Sequence, residues 1–289
     1  MNKNLLYVLE KIEYWRRHFI SPEKFCHDKF VERLGYEPNF ENPKTFNEKL
    51  QWLKLNGDYS KESTLVDKVE VKKHVAEILG EEYIIPTLAV YDSVSEINWD
   101  ELPDKFVLKC THDSASVVIC NDKSTFDFKA AKKKLRHCMK INYYYMGFEP
   151  VYKNLKPRII AEKHMAPDGE TAINDYKFFC FDGKPEMMFV ATDRSDDCRF
   201  DFFDMDFNHL EFENIHENSS KVIEKPEKFE EMKELSAKLS QGMKFVRIDF
   251  YEINGKIYFG EYTFFHGSGY GRFEPVEYDL KVGELLRLD

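Results

Sequence analysis

The stretch Phe245 to Phe265, FVRIDFYEINGKIYFGEYTFF, constrains the fold of this chain more than any other. It reads as two strands rich in Val, Ile, Tyr and Phe around the turn dipeptide Asn254-Gly255. Arg247, Asp249 and Glu261 fall inside a pattern that should be half buried. Charges there need partners, and two acids together point to a metal ion or a shared proton. A two-residue loop, Asn254-Gly255, pairs Asp249 with Gly260 and sends Glu261 to the opposite face. A three-residue loop, Ile253-Asn254-Gly255, with Gly255 left-handed in a bulge, opposes Arg247 to Glu261 and keeps Asp249 and Thr263 on their face. Loop parity thus decides between a shared metal site and solvated acids on an exposed hairpin.

With 289 residues the chain has room for one large domain or two. A formal net charge of −10 argues against a nucleic-acid partner. The six cysteines show no CxxC spacing, and Cys110, Cys120 and Cys180 lie in apolar strand patterns, as reduced core thiols would. No apolar run of about 18 residues and no secretory signal is evident, so a cytoplasmic protein with at most peripheral membrane contact is expected.

Along the chain, residues 2 to 34 carry a helical pattern, with Leu5, Leu6, Leu9, Ile12 and Trp15 on one stripe. Thr45 and Glu48 form a capping box for FNEKLQWLKL. A further helix is expected from Val66 to Leu79, its lysines 68, 72 and 73 reading as a solvated face. Strands follow from Tyr83. In KFVLKCT, Phe106, Leu108 and Cys110 take one face and Val107, Lys109 and Thr111 the other, so Lys109 needs an anion such as phosphate. Residues 126 to 146 read as a basic helix, RIIAEKHM as a strand holding Glu162, and residues 175 to 194 as a hairpin turning at Asp182-Gly183. A strand pair over 200 to 214, a helix from Glu227 to Leu239 and a helix near Val282 to Leu286 complete the reading. Helices followed by alternating strands and helices suggest α+β or α/β with more than one sheet.

Lys109, Glu162, Asp175, Lys177, Arg247, Asp249 and Glu261 are the polar residues inside apolar strands. Upstream lysines and downstream acids suit a nucleoside triphosphate: cations for phosphate oxygens, carboxylates for Mg²⁺. Neither a Walker P-loop nor GxGxxG is present. The order Asp67-Lys68, Lys109, Glu162-Lys163-His164-Met165, Asp175, Arg247-Ile248-Asp249, Glu261-Tyr262-Thr263 resembles an ATP-grasp enzyme. The segments LVDKVEVKKHVAEILGEEYIIP, FVLKCTHDS, PRIIAEKHM and NDYKFFCFDGKP are similar to the TupA-like branch, named for teichuronopeptide biosynthesis.

The resemblance implies an α+β ATP-grasp fold: an N-terminal helical region over 1–104, a small α+β lid over 105–164 and a catalytic antiparallel-sheet part over 165–289. It implies that Lys68 and Lys109 touch the ATP phosphates. The Lys163 carbonyl and Met165 amide read adenine, Asp175 binds the ribose, and Glu162 sits beside the adenine with Lys177 toward the phosphates. Asp249, Glu261 and Thr263 hold Mg²⁺, as two ions; Thr263 stands where the wider family usually has Asn. Arg247 neutralises an acyl phosphate, and the turn at Gly267 to Gly269 offers amides to the substrate oxyanion. Two close acids would raise one carboxyl pKa while the metal is absent. The lid loop His112-Asp113-Ser114-Ala115-Ser116 lacks the usual glycines, and Asp113 has the wrong sign for a phosphate.

The activity implied is ATP-dependent carboxylate–amine ligation through an acyl phosphate, decorating a bacterial surface or capsular polysaccharide. The carboxylate would be a small molecule or glycan-linked. A sugar or lipid-headgroup kinase on the same site is one alternative. A glycosyltransferase, from Asp204-Met205-Asp206, is another, and a non-catalytic ATP-binding scaffold a third. The carboxylate, the amine and the oligomeric state are not readable from the sequence.

Overall fold

The computed structural model describes residues 14–114, 116–166, 174–192 and 198–288. Leu5, Leu6, Leu9 and Ile12 of the N-terminal helical pattern lie outside them. Helix α1 (Pro22–Leu34) starts on the Ser21 cap and ends at left-handed Gly35. Helix α2 (Phe46–Asn56) begins with the capping box formed by Thr45 and Glu48.

The helix expected from Val66 to Leu79 is broken into α3 (Ser63–Val66) and α4 (Glu70–Leu79). Asp67 is extended at the break, and its carboxylate accepts from the amides of Val69 at 2.8 Å and Glu70 at 3.1 Å. A side chain that takes the first amides of a helix competes with continuing the one before it. Lys68 therefore stands in the gap, and its amide bonds Thr111 O at 3.1 Å, next to the strand that carries Lys109.

A four-stranded antiparallel sheet takes the order β1-β4-β2-β3: β1 (Thr87–Tyr91), β2 (Phe106–Cys110), β3 (Val118–Cys120) and β4 (Ile159–Lys163). Phe106, Leu108 and Cys110 bury their face together with Ala131 and Leu135 of α5 (Phe128–Cys138), so β2 alternates as the sequence indicates. A division at residue 105 cuts this sheet, because β1 pairs with β4 from Thr87↔Glu162 to Tyr91↔Ile159. The short helix α6 (Tyr144–Gly147) precedes β4.

A five-stranded antiparallel sheet follows, order β10-β9-β5-β6-β7. Its strands are β5 (Asp175–Phe181), β6 (Lys184–Thr192), β7 (Arg199–Asp204), β9 (Phe245–Ile253) and β10 (Lys256–Thr263). The β5–β6 hairpin turns at Asp182 and Gly183, both with positive φ. Phe178, Cys180, Ile248 and Phe250 alternate onto one face, where α7 (Phe229–Leu239) lays Phe229 at 5.9 Å from the Phe178 ring. Lys177, Phe179, Arg247 and Asp249 alternate onto the other. The lower part of that face packs Phe179 and Phe245 against Phe46 of α2, and its upper part is polar.

Residues 200–214 pair with each other only at the antiparallel bridge Phe203↔His209, and β8 (Glu213–Asn214) pairs with β11 (Phe273–Glu274). Helix α8 (Glu277–Leu285) closes on α2, where Asp279 accepts from the Asn47 amide at 3.0 Å. Among the described residues, no helix is long and apolar enough to cross a membrane.

Candidate active site

The β9–β10 loop has two residues, Asn254 at φ 53° and Gly255 at φ 69°, and Ile253 pairs with Lys256. By alternation alone this loop would turn Glu261 away from Asp249. The register shifts between Phe259 and Glu261, however, so Gly260 is an extra residue and Glu261 lies directly opposite Asp249. A Cβ on Gly260 would stand 3.0 Å from Asp249 O and 3.1 Å from a ring carbon of Tyr251, which suits glycine at the bulge. Neither simple loop describes the hairpin; a bulge restores the parity that the turn removes.

Lys177, Asp249 and Glu261 thus form one transverse row across β5, β9 and β10, and Phe179, Arg247 and Thr263 form the next. Arg247 Nε donates to Asp249 Oδ1 at 2.7 Å and Nη2 to Oδ2 at 2.7 Å. The same Nη2 reaches Thr263 Oγ1 at 2.9 Å and Glu261 Oε1 at 3.3 Å. Lys177 bonds Asp249 from the other side and Asp175 Oδ2 at 3.1 Å. Burial alone would raise the Asp249 carboxyl, but the charges of Arg247 and Lys177 outweigh it and hold the group well below the usual carboxylate range. The raised pKa expected of an unneutralised acid pair is therefore not found at Asp249, because two fixed cations already lie on it.

Two side chains without a motif complete the row. Nη1 of Arg247 donates to His266 Nδ1 at 2.9 Å, and His266 Nε2 lies 2.8 Å from Asn214 Oδ1. Burial first, then the Arg247 charge, pushes the His266 pKa well down, so the ring is neutral. An isolated His and an isolated Asn carry no signal in a single sequence. The break in apolar alternation at Phe264-Phe265-His266 is the one trace.

Across the cleft, Glu162 is 4 % exposed and bridges Lys109 at 2.7 Å and Lys72 at 2.5 Å. Burial opposes ionisation of Glu162, and the two ammonium groups outweigh it, lowering its pKa. Lys72 also donates to Ile85 O and Thr87 Oγ1, each at 2.8 Å. It is thus part of the site and not of a solvated face. Burial lowers the Lys68 pKa, and its ammonium bonds the carbonyl of Asp113. Lys68, Lys109, Glu162, Asp175, Lys177 and Glu261 line one cleft between the two sheets.

Asp113 also lines that cleft, but its carboxylate is taken up by Ser116. Its Oδ1 accepts from Ser116 Oγ at 2.6 Å and from the Ser116 amide at 3.3 Å, while Ser116 Oγ accepts from the Cys110 amide at 2.7 Å. The wrong-sign acid thus ties its own loop; Ala115 lies outside the described residues. Lys163 ends β4 with its amide on Pro86 O at 2.9 Å and its side chain exposed, and Met165 follows half-buried. Gly267, Ser268 and Gly269 all have positive φ, and the Ser268 amide bonds Phe265 O at 2.9 Å, so one amide of that turn is used internally. Asp204 accepts from the amides of Asp206 and Asn208 and from Asn208 Nδ2, at 2.8–2.9 Å. Its carboxylate closes the loop after β7, so the Asp-x-Asp tripeptide reads as a turn.

Mg²⁺ takes hard oxygen donors and retains waters. Asp249, Glu261 and Thr263 fit such an ion, since a single guanidinium nitrogen, a cation stand-in, already meets all three oxygens. Among the described residues no group of three or more His, Cys, Asp or Glu suits a metal.

Two antiparallel sheets enclosing a cleft of lysines on one side and a carboxylate–arginine row on the other define the architecture of an ATP-grasp protein. The family described as TupA-like ATPgrasp matches residues 48–287, and the chain belongs to that family. No match is found among curated proteins. The chain is similar to the D-alanine–D-alanine ligase of Bacillus anthracis solved with ATP, at 19 % identity and TM-score 0.38, over 69 % of this chain and 53 % of that one. The D-alanine–D-alanine ligase of Helicobacter pylori matches at 17 % and 0.37, over 77 % and 60 %. The D-cycloserine synthetase DcsG matches at 12 % and 0.40, over 80 % and 73 %. This chain therefore spans little more than half the length of the two D-alanine ligases.

Proposed function

We propose that the chain is an ATP-dependent carboxylate–amine ligase that forms an acyl phosphate and then an amide. The observation that carries this reading is the alignment of Lys177, Asp249 and Glu261 in one row, with Arg247 and Thr263 beside it, the ends of that row, Lys177 and Glu261, lining a single cleft with Lys68, Lys109 and Glu162. An oxygen of the carboxylate substrate attacks the γ-phosphorus of ATP and ADP departs with the bridging oxygen. The amine nitrogen then attacks the acyl carbon, phosphate leaves, and the amine proton is lost to solvent or phosphate. No covalent bond to the protein is needed; positioning and charge supply the rate.

In this reading Lys68 and Lys109 bind phosphate oxygens from the lid side, and Lys177 does so from the large sheet. Asp175 takes the ribose, Glu162 flanks the adenine, and Lys163 and Met165 meet the base through backbone groups. Asp249, Glu261 and Thr263 hold Mg²⁺, as one or two ions, which when bound neutralises phosphate charge. Arg247 holds the acyl phosphate, with the Gly267 turn beside it. The small sheet from β1 onward, with α5, acts as the lid over the large sheet. The family's name favours an amino acid or peptide as one substrate and a surface or capsular polysaccharide precursor as the other, joined in the cytoplasm, where ATP is made.

The test is phosphate release from ATP and Mg²⁺ with panels of amino acids and uronic acids, followed by mass spectrometry of the product. Release that needs both a carboxylate and an amine, with loss of one water in the product, supports the ligase. Transfer of phosphate to a hydroxyl compound without an amine would replace it with a kinase.

A further inference from the structure

Arg247 is the most heavily bonded side chain of the site, yet the carboxylate row holds only one end of it. Nε and Nη2 face Asp249, Glu261 and Thr263, whereas Nη1 faces His266 at 2.9 Å. Because a guanidinium only donates, Nδ1 of His266 must accept, and the ring proton sits on Nε2. That proton is given to Asn214 Oδ1 at 2.8 Å. The tautomer is therefore fixed by the two partners together.

The surroundings hold this arrangement rigid. His266 is 2 % exposed and lies edge-on to Phe179 at 4.8 Å and to Phe189 at 5.6 Å. Asn214 is 1 % exposed, belongs to the two-residue β8, and donates from Nδ2 to Arg272 O at 3.3 Å. The small β8–β11 sheet thus fixes one amide side chain behind one imidazole. A phenylalanine would fill the His266 position without desolvating a polar ring, so packing alone does not call for histidine.

We propose that His266, oriented by Asn214, is the positioning residue for Arg247 and the pivot on which it works. The neutral ring keeps hold of Nη1 while Nε and Nη2 leave Asp249, Glu261 and Thr263 to take the oxygens of an acyl phosphate. Asp249 and Glu261 are freed for a cation in the same movement. This rests on the ligase reading, and it adds the order of events: the guanidinium is available to the acyl phosphate only once its own carboxylates have been given another cation.

The probe is acetyl phosphate, the smallest acyl phosphate, added to protein labelled with ¹⁵N-arginine in the presence of ADP and Mg²⁺. The Arg247 Nε–H signal is assigned by its loss in Arg247→Lys. In the native protein it should shift on addition of Mg²⁺ with ADP and again with acetyl phosphate. His266→Phe should keep the ADP affinity within about twofold but weaken acetyl phosphate binding about tenfold and broaden the Arg247 signal; tenfold corresponds to roughly 1.4 kcal/mol. His266→Gln, whose carbonyl oxygen still accepts from Nη1, should recover most of that loss. Equal acetyl phosphate affinity in His266→Phe and native protein would overturn the proposal. So would a native Arg247 signal that ignores acetyl phosphate while ADP binds. Should His266→Phe not fold, Asn214→Leu carries the same expectations. Failure of ADP to bind the native protein would instead remove the ligase reading.

Discussion

Asp249 shows how one buried acid can serve stability before it serves chemistry. It is 1 % exposed and bonded by Arg247 and Lys177. Asp249→Asn should lower stability at neutral pH by about 3–5 kcal/mol, since it strips one partner from a buried charge network. The sign with pH follows from the depressed folded pKa. The stabilisation is complete above the unfolded aspartate value of about 3.9, starts to fall below it, and is gone only when pH has passed the far lower folded value. Thermal melts from about pH 7 down to 3 should therefore show the native and Asp249→Asn curves converging in acid; a constant gap would refute the assignment. Stability without metal should fall in this variant, not hold or rise as repulsion between two bare acids would have it.

Lys72 carries the second prediction at this scale. Lys72→Met leaves Glu162 with Lys109 alone, so the KM for ATP should rise about tenfold with a smaller change in kcat, as expected of contacts made equally in ground and transition states. A pure kcat loss would move Lys72 into the chemistry. Lys109, with its mid-strand cation, was legible from alternation. Lys72 was not, because a lysine on a helix reveals its partner only when the chain has folded. His266 and Asn214 were illegible for the same reason: 52 residues separate them, and no spacing rule links them.

Among the elements, the β9–β10 hairpin was read correctly as two strands around Asn254-Gly255, and the acids do share a face. The route differs. The loop is the two-residue type that would separate them, and Gly260 adds the residue that reunites them. A glycine inside a strand was the hint. Inserting one residue between Gly260 and Glu261 should shift the register by one and turn Glu261 from the cleft; ATP turnover should vanish while the melting temperature falls by only a few degrees. Retained turnover would show that the row across β5, β9 and β10 is not the reacting one. The helix over 66–79 was legible in extent but not in its break, since Asp67 competes for amides only through a side chain whose direction no periodicity encodes.

Among the described residues, the two sheets keep separate cores. Arg158, just before β4, reaches Asp67 at 2.9 Å and Glu70 at 3.1 Å at the start of α4. Lys72 reaches Glu162 from the same helix. Arg158→Met should loosen the small sheet against α4, raising hydrogen exchange in β2 and β4 by about tenfold while leaving β5 and β9 protected, and ADP should restore the difference. Uniform loss of protection would mean that the two cores unfold as one.

The bulge also divides the hairpin into two mechanically distinct lengths. From Gly260 inward the strand is indexed to Asp249, and β9 is held in turn by its pairing with β5. Outward from it, the tip at Asn254-Gly255 hangs on a register that the reacting row does not share. A reporter peptide spliced between Asn254 and Gly255 would lengthen the tip without re-aiming Glu261. The protein thus offers an insertion point about half a strand from its chemistry, insulated by one glycine, through which occupancy of the cleft could be read out in living cells.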